Sequence, residues 1–298
     1  MPNQISSSAE FDAHQRHSAL GLVVTLAGAA LVAAVAEGAM LHEKHGQSDE
    51  ARITDSLPTP SEQLVIAHFG LNTNDEANAE AFTEHFKDRA EIACVVHGRG
   101  GVSLDNIMGQ MIEFRQDHPN KRVTLYGHSW AGLGNSLLIS RPEFREKFGP
   151  VTNLVYENSF VHPAAITNIG SLLLRTSHLG PLSWGIGRML PYTKSPTYLT
   201  ANMHNIARRE RVLPGSAEDF AEHIIVIQPE TDPYVANHIA LAGIQQFSGS
   251  QVVTHLVDRV NRPTRSHTGA TDYPWAMGTV LDGTWQQASV ANELILAA

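Results

Sequence analysis

The chain has 298 residues, of which 42% are hydrophobic, and it carries a formal net charge of −9. A chain of this length can bury a large core, and its composition is typical of a globular protein that contains both helices and strands. The negative charge, together with the lack of a long run of Lys and Arg, argues against nucleic acid as a partner, because phosphates attract basic surfaces. The single cysteine, Cys94, cannot form an internal disulfide, and its place in an apolar run predicts a small, buried side chain.

Residues 17–36 contain no Asp, Glu, Lys or Arg, and about 20 residues is the length of a membrane-spanning helix. We favour a transmembrane helix over about residues 18–36, within an N-terminal segment 1–41. Two alternatives stay open: a signal peptide cut after the A-x-A sequence at residues 34–36, and a soluble, Ala-rich helix packed on the folded domain. The favoured interpretation predicts a membrane-anchored protein with an extracytoplasmic domain, and the alternatives predict a secreted or a cytoplasmic one.

The rest of the chain divides into a linker and one large domain. Residues 42–62 are polar and include two prolines, which predicts a linker. From residue 63 to residue 298, helix-like stretches alternate with apolar runs that predict strands at residues 63–67, 90–96, 122–126, 151–156, 223–227 and 251–257. This alternation indicates an α/β fold, a mostly parallel sheet flanked by helices. A long apolar insertion over about residues 160–221 predicts a helical cap, and residues 284–296 predict a closing helix.

A serine follows the third predicted strand in a pattern that indicates a tight strand-to-helix turn. Ser129 has Gly127 two residues before it and Ala131 two residues after it, which makes the motif G-x-S-x-A. Small residues are needed at both positions, because a larger Cβ would collide across the turn. Such a turn lifts the hydroxyl of Ser129 clear of the sheet, at the carboxyl end of a strand, where ligands of parallel sheets bind.

A serine hydroxyl becomes a good nucleophile only when a base removes its proton, and the base needs a carboxylate to stabilise its charged form. The loops after the fifth and sixth predicted strands supply Asp232 and His267. We therefore predict Ser129 as nucleophile, Asp232 as acid and His267 as base. Glu157 and Glu230 stay open as alternatives for the acid, and an alternative role for Asp232 is to cap the helix that follows it.

Together these segments resemble the α/β-hydrolase superfamily, and the resemblance covers about residues 63–298. The matching pieces are the loop after the first core strand (66–71), a glycine-rich turn (97–103), the nucleophile turn (127–132), the acid loop (230–235) and the histidine at 267. The resemblance implies an α/β-hydrolase fold in which the backbone N–H groups of Trp130 and Leu71 bind an oxyanion. Phe69 is the alternative to Leu71, because the loop reads His-Phe-Gly instead of His-Gly.

The resemblance and the order of the three residues predict a serine hydrolase that cleaves an ester-like bond through an acyl-enzyme intermediate. We expect no metal or organic cofactor, a small-molecule substrate of acyl or lipid character, and contact with a membrane through the N-terminal helix. Two alternatives stay open. One is a different acyl chemistry on the same three residues, such as amide or thioester cleavage or acyl transfer. The other is a catalytically inactive, hydrolase-like domain that binds a partner.

Overall fold

A computed structural model of the chain describes residues 52–55, 61–70, 75–97, 103–166, 206, 210–258 and 267–285. The predicted N-terminal segment 1–41 and most of the predicted cap lie outside these residues. Within the described ranges, no helix combines the length and the hydropathy that a membrane span requires.

Seven described strands form one sheet. They are β1 (Arg52–Asp55), β2 (Gln63–His68), β3 (Glu91–Val96), β4 (Arg122–His128), β5 (Val151–Glu157), β6 (Ala221–Gln228) and β7 (Val253–Val257). Across the sheet they lie in the order β1-β3-β2-β4-β5-β6-β7. The pairs from β3 to β7 are parallel, and β1 pairs antiparallel with β3. The predicted mostly parallel sheet, with its six predicted strands, is confirmed.

Helices cover both faces of the sheet. They are α1 (Asp75–Phe86), α2 (Leu104–Asp117), α3 (Trp130–Ile139), α4 (Pro142–Phe148), a 3-10 turn (Pro163–Ala165), α5 (Asn237–Ser248) and α6 (Trp275–Leu281). The buried side chains of α2 to α5 belong to one hydrophobic cluster and those of α1 and α6 to another. Neighbouring residues of β2 divide between the two clusters, since Leu64 and Ile66 point to one and Val65 to the other. Strands buried on both faces read as continuous apolar runs, which is why the sequence predicted them well.

Part of the predicted linker is a strand. Residues 52–55 form β1, in which Arg52 lies opposite Val96 of β3. The linker prediction for residues 42–62 is therefore wrong at residues 52–55. The four-residue sequence RITD is too short and too polar to show a strand period, and the backbone of β3 supplies the pairing.

The insertion predicted as a cap over residues 160–221 is described only near its two ends. At the start Phe160 and Ala165 are buried, and near the end Ala217 and Phe220 are buried. These parts therefore belong to the core of the main domain. The predicted helix over residues 284–296 falls almost entirely outside the described residues, whereas the short helices α4 and α6 were not predicted. The prediction that Cys94 is buried is confirmed.

Candidate active site

Ser129 lies on a strained turn between β4 and α3. Its backbone has φ 55° and ψ −124°, a combination that non-glycine residues rarely adopt and that costs about 1–3 kcal/mol. The turn leaves no room for side chains on its glycines. A Cβ added to Gly127 would lie 3.0 Å from Cα of Gly132, and one added to Gly132 would lie 1.8 Å from Oγ of Ser159. Packing therefore requires glycine at both 127 and 132.

Two hydrogen bonds from the end of β5 hold this strained residue in place. The N–H of Ser129 donates to the carbonyl of Glu157 at 3.0 Å. The hydroxyl of Ser159 donates to the carbonyl of Ser129 at 2.5 Å. Because both backbone groups of Ser129 are bonded to one neighbouring segment, the direction of its side chain is fixed.

The side chain of His267 joins Ser129 to Asp232. Its Nε2 lies 2.8 Å from Oγ of Ser129, and its Nδ1 lies 2.7 Å from Oδ2 of Asp232. An ionised carboxylate can only accept, so Nδ1 carries the proton and Nε2 of the neutral ring accepts from the serine hydroxyl. The structure therefore brings the three predicted residues together in one line of hydrogen bonds.

The carboxylate of Asp232 is fully buried, and its other oxygen is also bonded. Oδ1 accepts from the N–H of Tyr234 at 2.7 Å and from the N–H of Val235 at 2.9 Å. These bonds form a local turn, and the residue at the cap of α5 is Ala236, without a side-chain cap bond. The alternative role of Asp232 as a helix cap is therefore excluded, and both of its oxygens are oriented.

The other two candidate acids lie elsewhere in the site. Glu157 is fully buried, and its Oε2 accepts from the hydroxyl of Tyr126 at 2.5 Å and from the N–H of Ala270 at 2.8 Å. Glu230 is exposed. Within the described part of the chain, the ring of His267 is hydrogen-bonded to the carboxylate of Asp232, which favours Asp232 as the acid.

The loop after β2 lies directly against Ser129. A Cβ added to Gly70 would lie 2.6 Å from Cβ and 3.1 Å from Oγ of Ser129. The other expected donor, Trp130, is the first residue of α3, where backbone N–H groups lack partners within the helix. Leu71 lies outside the described residues. The side chain of Phe69 is buried and packs edge-on against the ring of Phe82.

A buried polar network that the sequence did not predict lies at the end of β2. Nδ1 of His68 donates to Oδ1 of Asn135 at 2.9 Å, and Nε2 of His68 lies 3.2 Å from Nε2 of His97. The pKa of His68 is lowered to about 3, first by burial and then by the charge that His97 would carry. The amide of Asn135 also donates to the carbonyl of Tyr126 at 3.3 Å, so the network ties the end of β2 to α3 and β4. Asn135, an amide in a helix of mostly apolar and small residues, is the signal that could have revealed it.

The residues Asn158 and Ser159 were also missed. Asn158 has φ 48°, and its side-chain amide donates to the carbonyl of Thr268 at 3.0 Å. The sequence does offer one indication of this turn, an asparagine directly after a strand, because asparagine tolerates positive φ better than most residues.

Comparisons with known proteins identify the fold. No protein-family model matches the sequence, and no curated protein is significantly similar to it. A solved structure of a bacterial membrane phospholipase A is similar at a TM-score of 0.54 and 15% identity, over 90% of this chain and 99% of that one. A thermophilic esterase from Thermogutta terrifontis is similar at a TM-score of 0.50 and 14% identity, over 80% of this chain and 94% of that one. The chain therefore has the α/β-hydrolase fold.

Proposed function

We propose that this protein is a serine hydrolase that cleaves an ester-like bond of an acyl substrate. The observation that carries the proposal is the position of His267, which is hydrogen-bonded at one nitrogen to Ser129 and at the other to the buried carboxylate of Asp232. This arrangement activates a hydroxyl for attack on a carbonyl carbon. Neighbours of the same fold that are described as an esterase and a phospholipase support it.

In the first half of the reaction the enzyme becomes acylated. Oγ of Ser129 attacks the carbonyl carbon while its proton passes to Nε2 of His267, and Asp232 stabilises the imidazolium that forms. The N–H of Trp130 and an N–H of the loop after β2 donate to the new oxyanion; each such bond contributes about 3–4 kcal/mol to the transition state. When the tetrahedral intermediate collapses, His267 returns the proton to the departing alcohol and the acyl group stays on Ser129.

In the second half water replaces the alcohol. The water oxygen attacks the acyl carbon while His267 takes a proton from the water. The same N–H groups bind the oxyanion that forms. Collapse breaks the bond between the acyl carbon and Oγ of Ser129, which regains its proton from His267. The products are one alcohol and one carboxylic acid for each water consumed.

Aromatic side chains next to these residues favour an apolar acyl or alcohol group. The ring of Tyr234 is exposed and lies edge-on to the ring of His267, with centroids 5.1 Å apart. Trp130, which directly follows Ser129, is half-buried and packs edge-on against Phe160. Aromatic surfaces of this kind commonly line small-molecule sites, where a few polar groups set the orientation.

A fluorophosphonate probe tests the proposal, because it reacts covalently with an activated serine. We expect the full-length protein to be labelled and Ser129→Ala to be unlabelled. Ser103→Ala is the matched control, since Ser103 caps α2 and should leave labelling unchanged. Folded wild-type protein that resists the probe would instead favour an inactive, hydrolase-like binding domain. Chromogenic esters of increasing acyl length, compared with amides and thioesters, then identify the bond that is cleaved.

We also propose, from the sequence alone, that residues 18–36 anchor the protein in a membrane with its domain on the extracytoplasmic side. The uncharged run of about 20 residues supports this. Full-length protein should stay with the membrane fraction during a carbonate wash and be released by detergent. Release by carbonate alone would exclude a spanning helix.

A further inference from the structure

We propose that Glu157, whose carboxylate takes no part in the steps above, is a positioning residue that sets the place of His267 relative to Ser129. This inference rests on the function proposed above. Glu157 is the last residue of β5, and its backbone carbonyl accepts from the N–H of Ser129 at 3.0 Å. Its side-chain Oε2 accepts from the N–H of Ala270, three residues after His267, at 2.8 Å. Glu157 is therefore hydrogen-bonded both to the turn that carries Ser129 and to the loop that carries His267.

The surroundings of this carboxylate make it a rigid support. Glu157 is fully buried, and Oε2 also accepts from the hydroxyl of Tyr126 at 2.5 Å. At 2.5 Å this bond lies at the short end of the normal range for hydroxyl donors. The bond to Tyr126 fixes the side chain of Glu157 to β4, the strand that leads into Ser129. The oxygen that accepts from Ala270 therefore moves together with that strand.

Two neighbours of this carboxylate bind the same loop. The amide of Asn158 donates to the carbonyl of Thr268 at 3.0 Å. Nε2 of His128 lies 2.8 Å from the carbonyl of His267 itself, and because a carbonyl only accepts, this nitrogen donates. Both side chains come from the ends of β4 and β5, beside Ser129.

The fit between the loop and these side chains is close. A Cβ added to Gly269 would lie 2.7 Å from Cδ2 of His128 and 3.0 Å from Oε2 of Glu157. Glycine at this position lets the loop pack directly on the ring and the carboxylate. His267 is thus held through its ring by Asp232 and through its loop by Glu157 and its neighbours.

Small displacements of a catalytic group are expensive: a misplacement of about 1 Å costs about 10²-fold in rate. Removal of the acceptor oxygen should therefore slow the chemical steps and leave substrate binding nearly unchanged. Glu157→Leu removes the acceptor from Ala270 and Tyr126. Glu157→Gln keeps an acceptor oxygen of similar size and position.

The test measures kcat, KM and the pH profile of kcat/KM for the full-length protein, together with hydrogen exchange over residues 267–272. We expect Glu157→Leu to lose about 10²-fold in kcat with KM changed less than about twofold, and to exchange faster in this stretch. Glu157→Gln should restore most of kcat and the slow exchange, with the wild-type pH profile.

Glu91→Gln is the matched control. Glu91 is also buried, but it starts β3 at the opposite end of the sheet, where it pairs with His118 and Lys121. This variant should unfold at a lower temperature without any change in kcat or in exchange over residues 267–272.

Three results would overturn the inference. The first is wild-type kcat in a folded Glu157→Leu variant, and the second is unchanged exchange in it. The third is a Glu157→Gln variant as inactive as Glu157→Leu, which would make Glu157 the acid itself. If the wild-type protein shows neither labelling nor hydrolysis, the proposed function fails. The exchange rates of Glu157→Leu and Glu157→Gln then decide by themselves whether Glu157 holds the loop.

Discussion

Gly70 and Ser129 are so close that a methyl group on the glycine would lie 2.6 Å from Cβ of the serine. The two residues meet because β2 and β4 are adjacent, parallel strands in which His68 lies opposite Gly127. The loop after β2 thus reaches the turn that carries the candidate nucleophile, although about 60 residues separate them in sequence.

We expect Gly70→Ala to displace this loop and to remove an oxyanion donor, which lowers kcat by about 10²–10³-fold. Gly109→Ala is the matched control, because Gly109 lies within α2 and a Cβ there meets no atom within 4 Å. It should leave kcat unchanged and raise the free energy of unfolding by up to about 1 kcal/mol. Steady-state kinetics and urea unfolding measure both effects. Wild-type kcat in Gly70→Ala would show that the loop has no part in the reaction.

Asp232→Asn should lower kcat by about 10⁴-fold, because an amide no longer holds the His267 ring with its proton on Nδ1 and no longer stabilises the imidazolium. Glu230→Gln, on the same loop but exposed, should have wild-type activity. Rates with a short-chain ester and with a fluorophosphonate probe provide the measurement. High activity in Asp232→Asn would assign the acid to another carboxylate.

His68 should make the protein less stable in acid. The pKa of its ring falls from 6.5 in the unfolded chain to about 3 in the folded protein. Between these values the unfolded chain binds more protons, so the free energy of unfolding falls as the pH drops from about 6.5 towards 3, by at most about 1.4 kcal/mol per pH unit from this group. Above pH 6.5 both states are neutral at His68 and the contribution is constant.

His68→Gln removes this titration and keeps hydrogen-bonding groups for Asn135 and His97. Urea unfolding between pH 4.5 and 7.5 should therefore show a shallower pH dependence in the variant than in the wild type. The chain has 16 histidines, so the pH dependence of the wild type does not report on His68 alone. The effect of His68 is therefore the difference between the slopes of the wild type and the variant. Equal slopes would mean that His68 is not buried as a neutral ring.

Cys94 should not react with thiol reagents in the folded protein. Its side chain is inaccessible, and burial raises the pKa of its thiol to about 12, so almost no thiolate is present at pH 8. A chromogenic disulfide reagent should detect no thiol in the native protein and one thiol per chain in urea. Rapid reaction of the native protein would contradict the position of β3 inside the sheet.

The sequence predicted the central sheet because its strands are apolar on both faces, as the alternation of Leu64 and Val65 between two clusters illustrates. Ser129, Asp232 and His267 could be selected as candidates because each follows a recognisable strand and their order is informative. The contacts of Glu157 and Asn158 could not be predicted from the sequence. They depend on β5 lying beside β4 and on a loop that is more than 100 residues further along the chain.

The edge strand β1 illustrates a second limit. Its four residues have no hydrophobic period, and their conformation is set by the backbone of β3. Short edge strands of this kind depend on their partner, which a pattern within one segment does not reveal.

The reversed direction of β1 decides where the preceding polypeptide joins the domain. Arg52, its first residue, lies beside Val96 at the carboxyl end of β3, which is also the end at which β4 leads into Ser129. Only three inter-strand spacings of about 4.8 Å separate β1 from β4. The preceding polypeptide therefore enters the domain on the same side of the sheet as Ser129, so any tether within it would be joined to the domain beside the site rather than behind it.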